Sequence, residues 1–244
     1  MNAKIAFWNI LMKDMKNYYF KPPNISWGII FPVAWTLMFF IRSETSMGIR
    51  DILPGVICMS ILFGTTSMLA VTITFERKSR SFERLLLAPI DLNLLMLAKT
   101  TGAILFGILN AIFPIIFASF LTDLSDINWV AAMGSIFFIA VTSTFMGLFI
   151  AVSVSEVFEA QTFSNFFRFP MLFLCGLFIP VEQLPMFIRP ISYILPLTYG
   201  ADILKTAINQ DGHLLLSLNF LMLLFFSVLL FLFSTRNIKN KWIH

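Results

Sequence analysis

Charge is what this sequence has least of. Asp, Glu, Lys and Arg make up 12% of its 244 residues, against about a quarter in an ordinary soluble domain. So little charge cannot clothe a water-facing surface, which excludes a soluble globular protein. Cysteine is nearly absent: Cys58 and Cys175 both lie inside apolar runs, which leaves no support for a disulfide framework. His213 and His244 are isolated near the ends of runs, and a metal site needs several converging ligands. A compact apolar leader with a small-residue cleavage site is missing from the first 24 residues, so the first span is expected to direct insertion itself. No Asp, Glu, Lys or His stands in the middle of a clear apolar run. Self-powered carriers keep an ionisable group near the membrane midplane to bind the coupling ion, so their class is disfavoured. Also missing are Gly-x-Ser-x-Gly, His-Glu-x-x-His, the Gly-x-x-x-x-Gly-Lys-Ser/Thr phosphate loop and any Gly-Lys pair. The chain is therefore expected to be no enzyme, to need no cofactor of its own and to draw any energy from another subunit.

What is present is apolar sequence in long blocks. Hydrophobic residues are 58% of the chain, and the mean hydropathy is +0.86. A bilayer core takes about 20 apolar residues per helix. Six stretches qualify: 25–41, 52–75, 101–121, 129–154, 169–179 with upstream extension, and 214–233. They are continuously apolar rather than alternating, so they predict helices and not barrel strands. The fifth reaches span length only if it starts near Phe163, with Arg168 close to the headgroups and Pro180 closing it. The expected fold is an all-α membrane protein, a single transmembrane domain over 1–244.

The basic residues give the orientation. All of the 17 Lys and Arg except Arg42, Arg50, Arg189 and Lys205 fall in segments that share one side of a six-span chain. The positive-inside rule puts that side, with both termini, in the cytoplasm and the protein in the cytoplasmic (inner) membrane. The net charge of +4 is thereby topological and does not indicate a nucleic-acid partner. Within residues 1–24, Ile5, Trp8, Leu11, Met12, Met15 and Tyr19 recur at helical spacing, with Lys4, Lys13 and Lys16 largely off that face. That pattern predicts an amphipathic helix lying on membrane lipid, ended by Pro22 and Pro23.

Two segments carry more than topology. In the basic loop 76–98, Phe82, Leu85 and Leu86 form a stripe at i, i+3 and i+4 among dense charge, Pro89 stops the helix, and Asp91 is placed to cap the next. The loop reads equally as a helix docking on a partner and as an ordinary positive-inside loop with a membrane-facing stripe. In 180–213, Pro180, Pro185, Pro190 and Pro196 punctuate apolar sequence too short to span. Broken apolar backbone at membrane depth is tolerated where protein or a water-lined cavity covers it, which predicts short re-entrant helices on the outer side. A plain extracellular loop would be unusually apolar.

At these two segments the sequence resembles the permease subunits of type-2 ABC exporters. Their first cytoplasmic loop typically reads Glu-Arg-x-x-Gly-Thr-x-Glu-x-Leu and then a proline. Glu76, Arg77, Glu83, Leu85 and Pro89 match, while Arg80 and Ser81 replace the Gly-Thr pair. After the fifth span the family carries Gly-x-x-x-Pro, a second proline and Pro-x-x-Tyr, which Gly176, Pro180, Pro185, Pro196 and Tyr199 fit. The resemblance covers essentially the whole chain. It implies that Glu76, Arg77, Phe82, Glu83, Arg84, Leu85, Leu86 and Pro89 form a coupling helix on a separate ABC ATP-binding subunit, which holds the ATP and Mg. It implies that the proline-rich segment forms an outer re-entrant gate, and that two permease chains, identical or not, enclose the path. A chain with 29 Phe and 13 Met suits a drug, lipid or lipid-linked glycan better than ions. A secondary carrier or channel subunit and a regulatory or immunity membrane protein are the alternatives.

Overall fold

A computed structural model describes residues 3–42, 48–88 and 90–242, and every regular element among them is helical. Its axis is α4, Ile49–Lys78, in which every residue from 53 to 70 is buried. Around it stand α6 (Leu92–Ser119), α7 (Trp129–Ser153) and α8 (Val157–Leu174). Small and hydroxyl residues on α4 let its neighbours come close, the usual basis of helix association in lipid. A Cβ at Gly147 of α7 would sit 2.4 Å from the Thr66 carbonyl oxygen, so only glycine permits that approach. The α4 hydroxyls are satisfied locally, as in Thr65 to the Ile61 carbonyl at 2.8 Å and Thr74 to Ala70 at 2.8 Å, because lipid offers no partners.

The helix α11, Leu216–Trp242, packs on α7 and leaves Leu221, Phe225 and Leu232 exposed. Among the described residues four helices, α4, α6, α7 and α11, are long and apolar enough to cross a membrane. The first predicted run is also helical, as α2 (Pro22–Ile25), a π-helical turn (Ser26–Ile30) and α3 (Phe31–Arg42).

The fifth run needs correction. The helix α8 begins at Val157, well upstream of Phe163, because the Glu159 carboxylate accepts the backbone N–H groups of Ser155 and Glu156 at 3.1 and 3.2 Å. It ends at Leu174, ahead of Gly176, whose φ of +82° no continuing helix has. Pro170 lies inside it rather than at its start.

The N-terminal helix α1, Ala3–Asp14, runs on through a π-helical turn, Met15–Tyr19, and packs on α6. The predicted apolar face is split: Leu11, Met15 and Tyr19 turn inward together with Ala6, Ile10 and Asp14, while Ile5 and Trp8 face out. Ile10 of α1, Leu95 of α6 and Ile238 of α11 share one cluster, so the two ends of the chain lie at the same end of the bundle.

Beyond α8 come a 3-10 turn (Val181–Gln183), α9 (Arg189–Ile194) and α10 (Pro196–Asn209). The helix α10 is wedged among α4, α7 and α11 with most of its residues buried.

Candidate functional site

The turn after α4 is built from its own polar side chains. The Arg77 guanidinium donates to the carbonyls of Ala151 and Val154, at 3.4 and 3.3 Å, at the electronegative C-terminal end of α7. Ser79 and Ser81 both donate to the Glu76 carbonyl, at 3.2 and 3.1 Å. Between them Arg80 takes a left-handed φ of 54°, the conformation that suits glycine. So Arg80 adopts the turn expected of the Gly it replaces, and Ser81 supplies a hydroxyl as Thr would.

The short helix α5, Ser81–Leu86, follows. Phe82, expected to be the apolar anchor for a partner, is 2% exposed and packs in the chain's own cluster with Ile10, Leu95 and Ile238. It turns inward because α1 supplies a hydrophobic floor that the loop sequence alone does not reveal. Leu85 is partly buried against the same cluster, and Glu83, Arg84 and Leu87 face outward. Of Leu86 only the backbone is described, and Pro89 lies outside the described residues.

Glu76 is likewise no outward contact. It is fully buried, with Lys99 Nζ 2.5 Å from one carboxylate oxygen and Lys13 Nζ 2.7 Å from the other. Lys99 also donates to Asp14 at 2.9 Å, and Lys13 lies 3.0 Å from the second Asp14 oxygen. Two acids and two bases thus tie α1, α4 and α6 together beneath α5. Burial draws the Lys13 ammonium down, but Asp14 and Glu76 outweigh it and hold it above its ordinary 10.5. The sequence signal for this cluster was Asp14, the one acid in a basic stretch; counting Lys99 as a loop charge concealed it.

At the opposite end, the predicted gate residues are only partly together. Gly176, Pro180 and Thr198 line one small cavity, and the Lys205 ammonium donates to the Gly176 carbonyl. Pro185 is exposed and apart. Pro196 opens α10 as its first residue. Tyr199 is buried, donates to the Tyr193 carbonyl at 2.7 Å and lies 6.1 Å from the Phe226 ring. The Asp202 carboxylate accepts from the backbones of His213 and Leu214 and from Asn219, at 2.9, 3.1 and 2.7 Å, pinning α10 to the start of α11.

The large cavity is elsewhere. About 600 Å³ opens along the half of α4 nearer α5, between the segment of Tyr18, Asn24 and Trp27 and α8. Tyr18, Trp27, Phe63 and Phe75 give it an aromatic wall, and Asn24, Ser67, Gln161 and Asn165 give it polar points. Arg168 of α8 stands behind this wall. It is 2% exposed, with its guanidinium carbon 4.3 Å above the centre of the Phe63 ring. It donates to Ser67 Oγ at 3.0 Å and to the Asn165 side-chain oxygen. Arg168, expected close to the headgroups, is thus enclosed among the helices. The aromatic ring and the two polar side chains hold the cation beside Phe63, midway along α4.

The geometry has counterparts in known sequences. A family model described as ABC-2 type transporter matches residues 5–209. The inner membrane transport permease YadH of Escherichia coli K12 is 24% identical over 148 residues, covering 61% of this chain and 58% of that protein. The ABC transporter permease protein NatB of Bacillus subtilis 168 is 26% identical over 151 residues, covering 54% of this chain and 39% of that one. The chain thus spans little more than half the length of the first of these relatives.

Proposed function

The chain belongs to the ABC-2 type transporter family, and we propose that it is the membrane-spanning permease subunit of an ATP-driven exporter of hydrophobic or amphipathic molecules. The cavity along α4, walled by aromatic rings and dotted with amides and hydroxyls, is the observation that carries this reading. Its lining matches a cargo with an apolar body and a polar end, and the family supplies the transport context.

In this reading residues 25–41 and α8 join the four long apolar helices as spans, making six. Both termini lie in the cytoplasm, where the basic segments are. Residues 1–24 form the interfacial element, with Trp8 and Ile5 turned to lipid. Residues 76–98 form the coupling loop and 180–213 the outer gate around Gly176, Pro180, Pro185, Pro196 and Tyr199. A second permease chain closes the cavity; Phe158 and Phe166 of α8, 82% and 70% exposed, offer it an apolar face. ATP and Mg are held by a separate ATP-binding subunit.

The buried groups define how force would pass. Phe82, Glu76 and Arg77 fasten α5 to α1, α4, α6 and α7, so α5 cannot swing independently of the bundle. Glu83, Arg84 and Leu87 are what a partner would touch. When ATP draws its two binding subunits together, α5 and α4 move as one piece, and the cavity changes the side it favours by a shift of population.

The test is co-purification of the ATP-binding subunit, with ATP-dependent uptake of an amphipathic dye into inverted vesicles. Glu83→Lys with Arg84→Glu retains net charge and reverses the outward pattern. The expected outcome is weakened capture of the subunit and lower uptake, with the permease still folded. Undiminished capture and uptake would show that α5 is not the contact, and uptake that persists without ATP would remove the ABC reading altogether.

A further inference from the structure

Behind the cavity wall stands a charge that no carboxylate among the described residues answers. Arg168 is buried, and no carboxylate lies within ion-pairing distance of it among the described residues. Its Nε has no hydrogen-bond partner. The groups that hold it are a ring face, a hydroxyl and an amide oxygen. An ionised side chain within a membrane domain is costly unless paired, and its usual justification is a functional counter-ion.

The way Arg168 is held also polarises the cavity wall. Ser67 Oγ accepts the guanidinium hydrogen, and no acceptor among the described residues takes the Ser67 hydroxyl proton. Asn165 spends its oxygen on Arg168 and also receives the Gln161 amide at 3.5 Å. Both residues line the cavity, so the groups they have left to offer it are donors, the Ser67 O–H and the Asn165 NH2. At Ser67 and Asn165, though not at Asn24 and Gln161, whose amide nitrogens are spent on the Tyr18 carbonyl and on Asn165, the wall offers donors in front of a buried cation, an arrangement suited to an anion. Facing it are Trp27, Phe63 and Phe75, with Met68 and Val71, which suit a hydrocarbon tail.

We propose that the cavity binds an amphiphile with an anionic headgroup, such as a phosphate, the headgroup seated on Ser67 and Asn165 in front of Arg168 and the tail against the aromatic wall. The inference rests on the cavity being the cargo site and goes further by fixing the sign of the cargo's charge.

The experiment uses the purified permease with its ATP-binding subunit in a neutral detergent. Three probes share a twelve-carbon tail: dodecyl phosphate, dodecyl trimethylammonium and a neutral dodecyl glycoside. Inorganic phosphate is the fourth. The expected result is at least tenfold tighter binding of dodecyl phosphate than of the other tails, with millimolar inorganic phosphate unable to compete. Arg168→Gln should bring the three tails to within about twofold of each other, and Arg168→Lys should keep part of the preference. Should Arg168→Gln not fold, Ser67→Ala reads the same preference without touching the cation and should reduce it severalfold.

Equal binding of the three tails by the unmodified protein, or a preference that survives Arg168→Gln, overturns the proposal. Competition by inorganic phosphate as strong as by dodecyl phosphate overturns its amphiphile part. Val71→Trp separates this from the cavity reading, since it should block every tail. If Val71→Trp leaves binding of the neutral tail intact, the cavity itself is the wrong site. If it blocks all tails and no headgroup preference exists, only the anion inference falls.

Discussion

Two regions along α4 bury positive charge, and they do so in opposite ways. Beneath α5, Lys99 is enclosed with Asp14 and Glu76, and the partly exposed Lys13 closes the cluster from its edge, so that each base touches both acids. Nine residues back along α4, at Ser67, Arg168 is enclosed with dipoles and a ring but no carboxylate. That separation is about 14 Å at the helical rise. The first arrangement neutralises itself and joins three helices; it is a lock. The second keeps its charge and places it behind a cavity wall. In a medium of low dielectric a paired charge resists being parted, whereas an unpaired one is available to something that arrives.

The sharpest way to break this comparison is to remove one base from each region by the same substitution. Lys99→Met leaves Asp14 and Glu76 with Lys13 alone, and stranding a buried ion costs about 3–5 kcal/mol. Phe82→Ala removes a filled core position beside the same lock and should cost a similar amount, about 3–5 kcal/mol. Arg168→Met strands no carboxylate. Ser67 and Asn165 can turn to the cavity, so its cost should be about 1–2 kcal/mol. Cys58 and Cys175 are both buried, so labelling by a thiol-reactive fluorophore during heating in detergent reports unfolding of all three variants. A loss from Arg168→Met as large as that from Lys99→Met would make the guanidinium structural and erase the distinction.

The lock also has a pH signature. Lys13 is held above its ordinary value, so the stability it contributes is fully present below about 10.5 and fades as pH rises through the raised value. A melt that weakened between pH 6 and 8 would contradict this.

Much of the frame was legible because membrane spans are written in composition. The runs at 52–75, 101–121, 129–154 and 214–233 reappear as α4, α6, α7 and α11, though α6 starts already at Leu92 and α11 runs on to Trp242. The paired charges were not legible, since Glu76 and Lys99 sit at the inner margins of two runs and look like loop residues until the helices are seen to extend past them. Asp14 and Lys13 join them only because α1 docks on α6, and the helical wheel cannot announce that. The same contact inverts Phe82, an apolar residue in a charged loop that reads as an outward anchor and is in fact an inward one. Arg168 was misplaced for the opposite reason. The helix α8 carries Glu159, Gln161 and Asn165, so its first turns are too polar to read as a span; the apolar run starts late and its arginine falls near a run end, where the headgroups are expected.

The smallest expected effect concerns Arg80, at the turn that leads from the lock to α5. Its φ of 54° places a Cβ where only glycine is at ease, at a cost of about 1–2 kcal/mol. Arg80→Gly relieves that strain but gives the unfolded chain more freedom, which takes back about 0.4–1 kcal/mol. A net gain of about 0.5 kcal/mol is left. Arg80 is exposed, so no buried partner is lost. The measurement is the same labelling melt, with Arg80→Ala as the companion. Alanine keeps the Cβ and should show none of the gain. If alanine stabilises as much as glycine, the benefit came from removing a positive charge near Arg77, Lys78 and Arg84, and the backbone at this turn is not strained. If glycine alone stabilises, the turn is a conformational element in its own right. The lock would then hold α5 at a set angle even with an unfavourable residue at the bend.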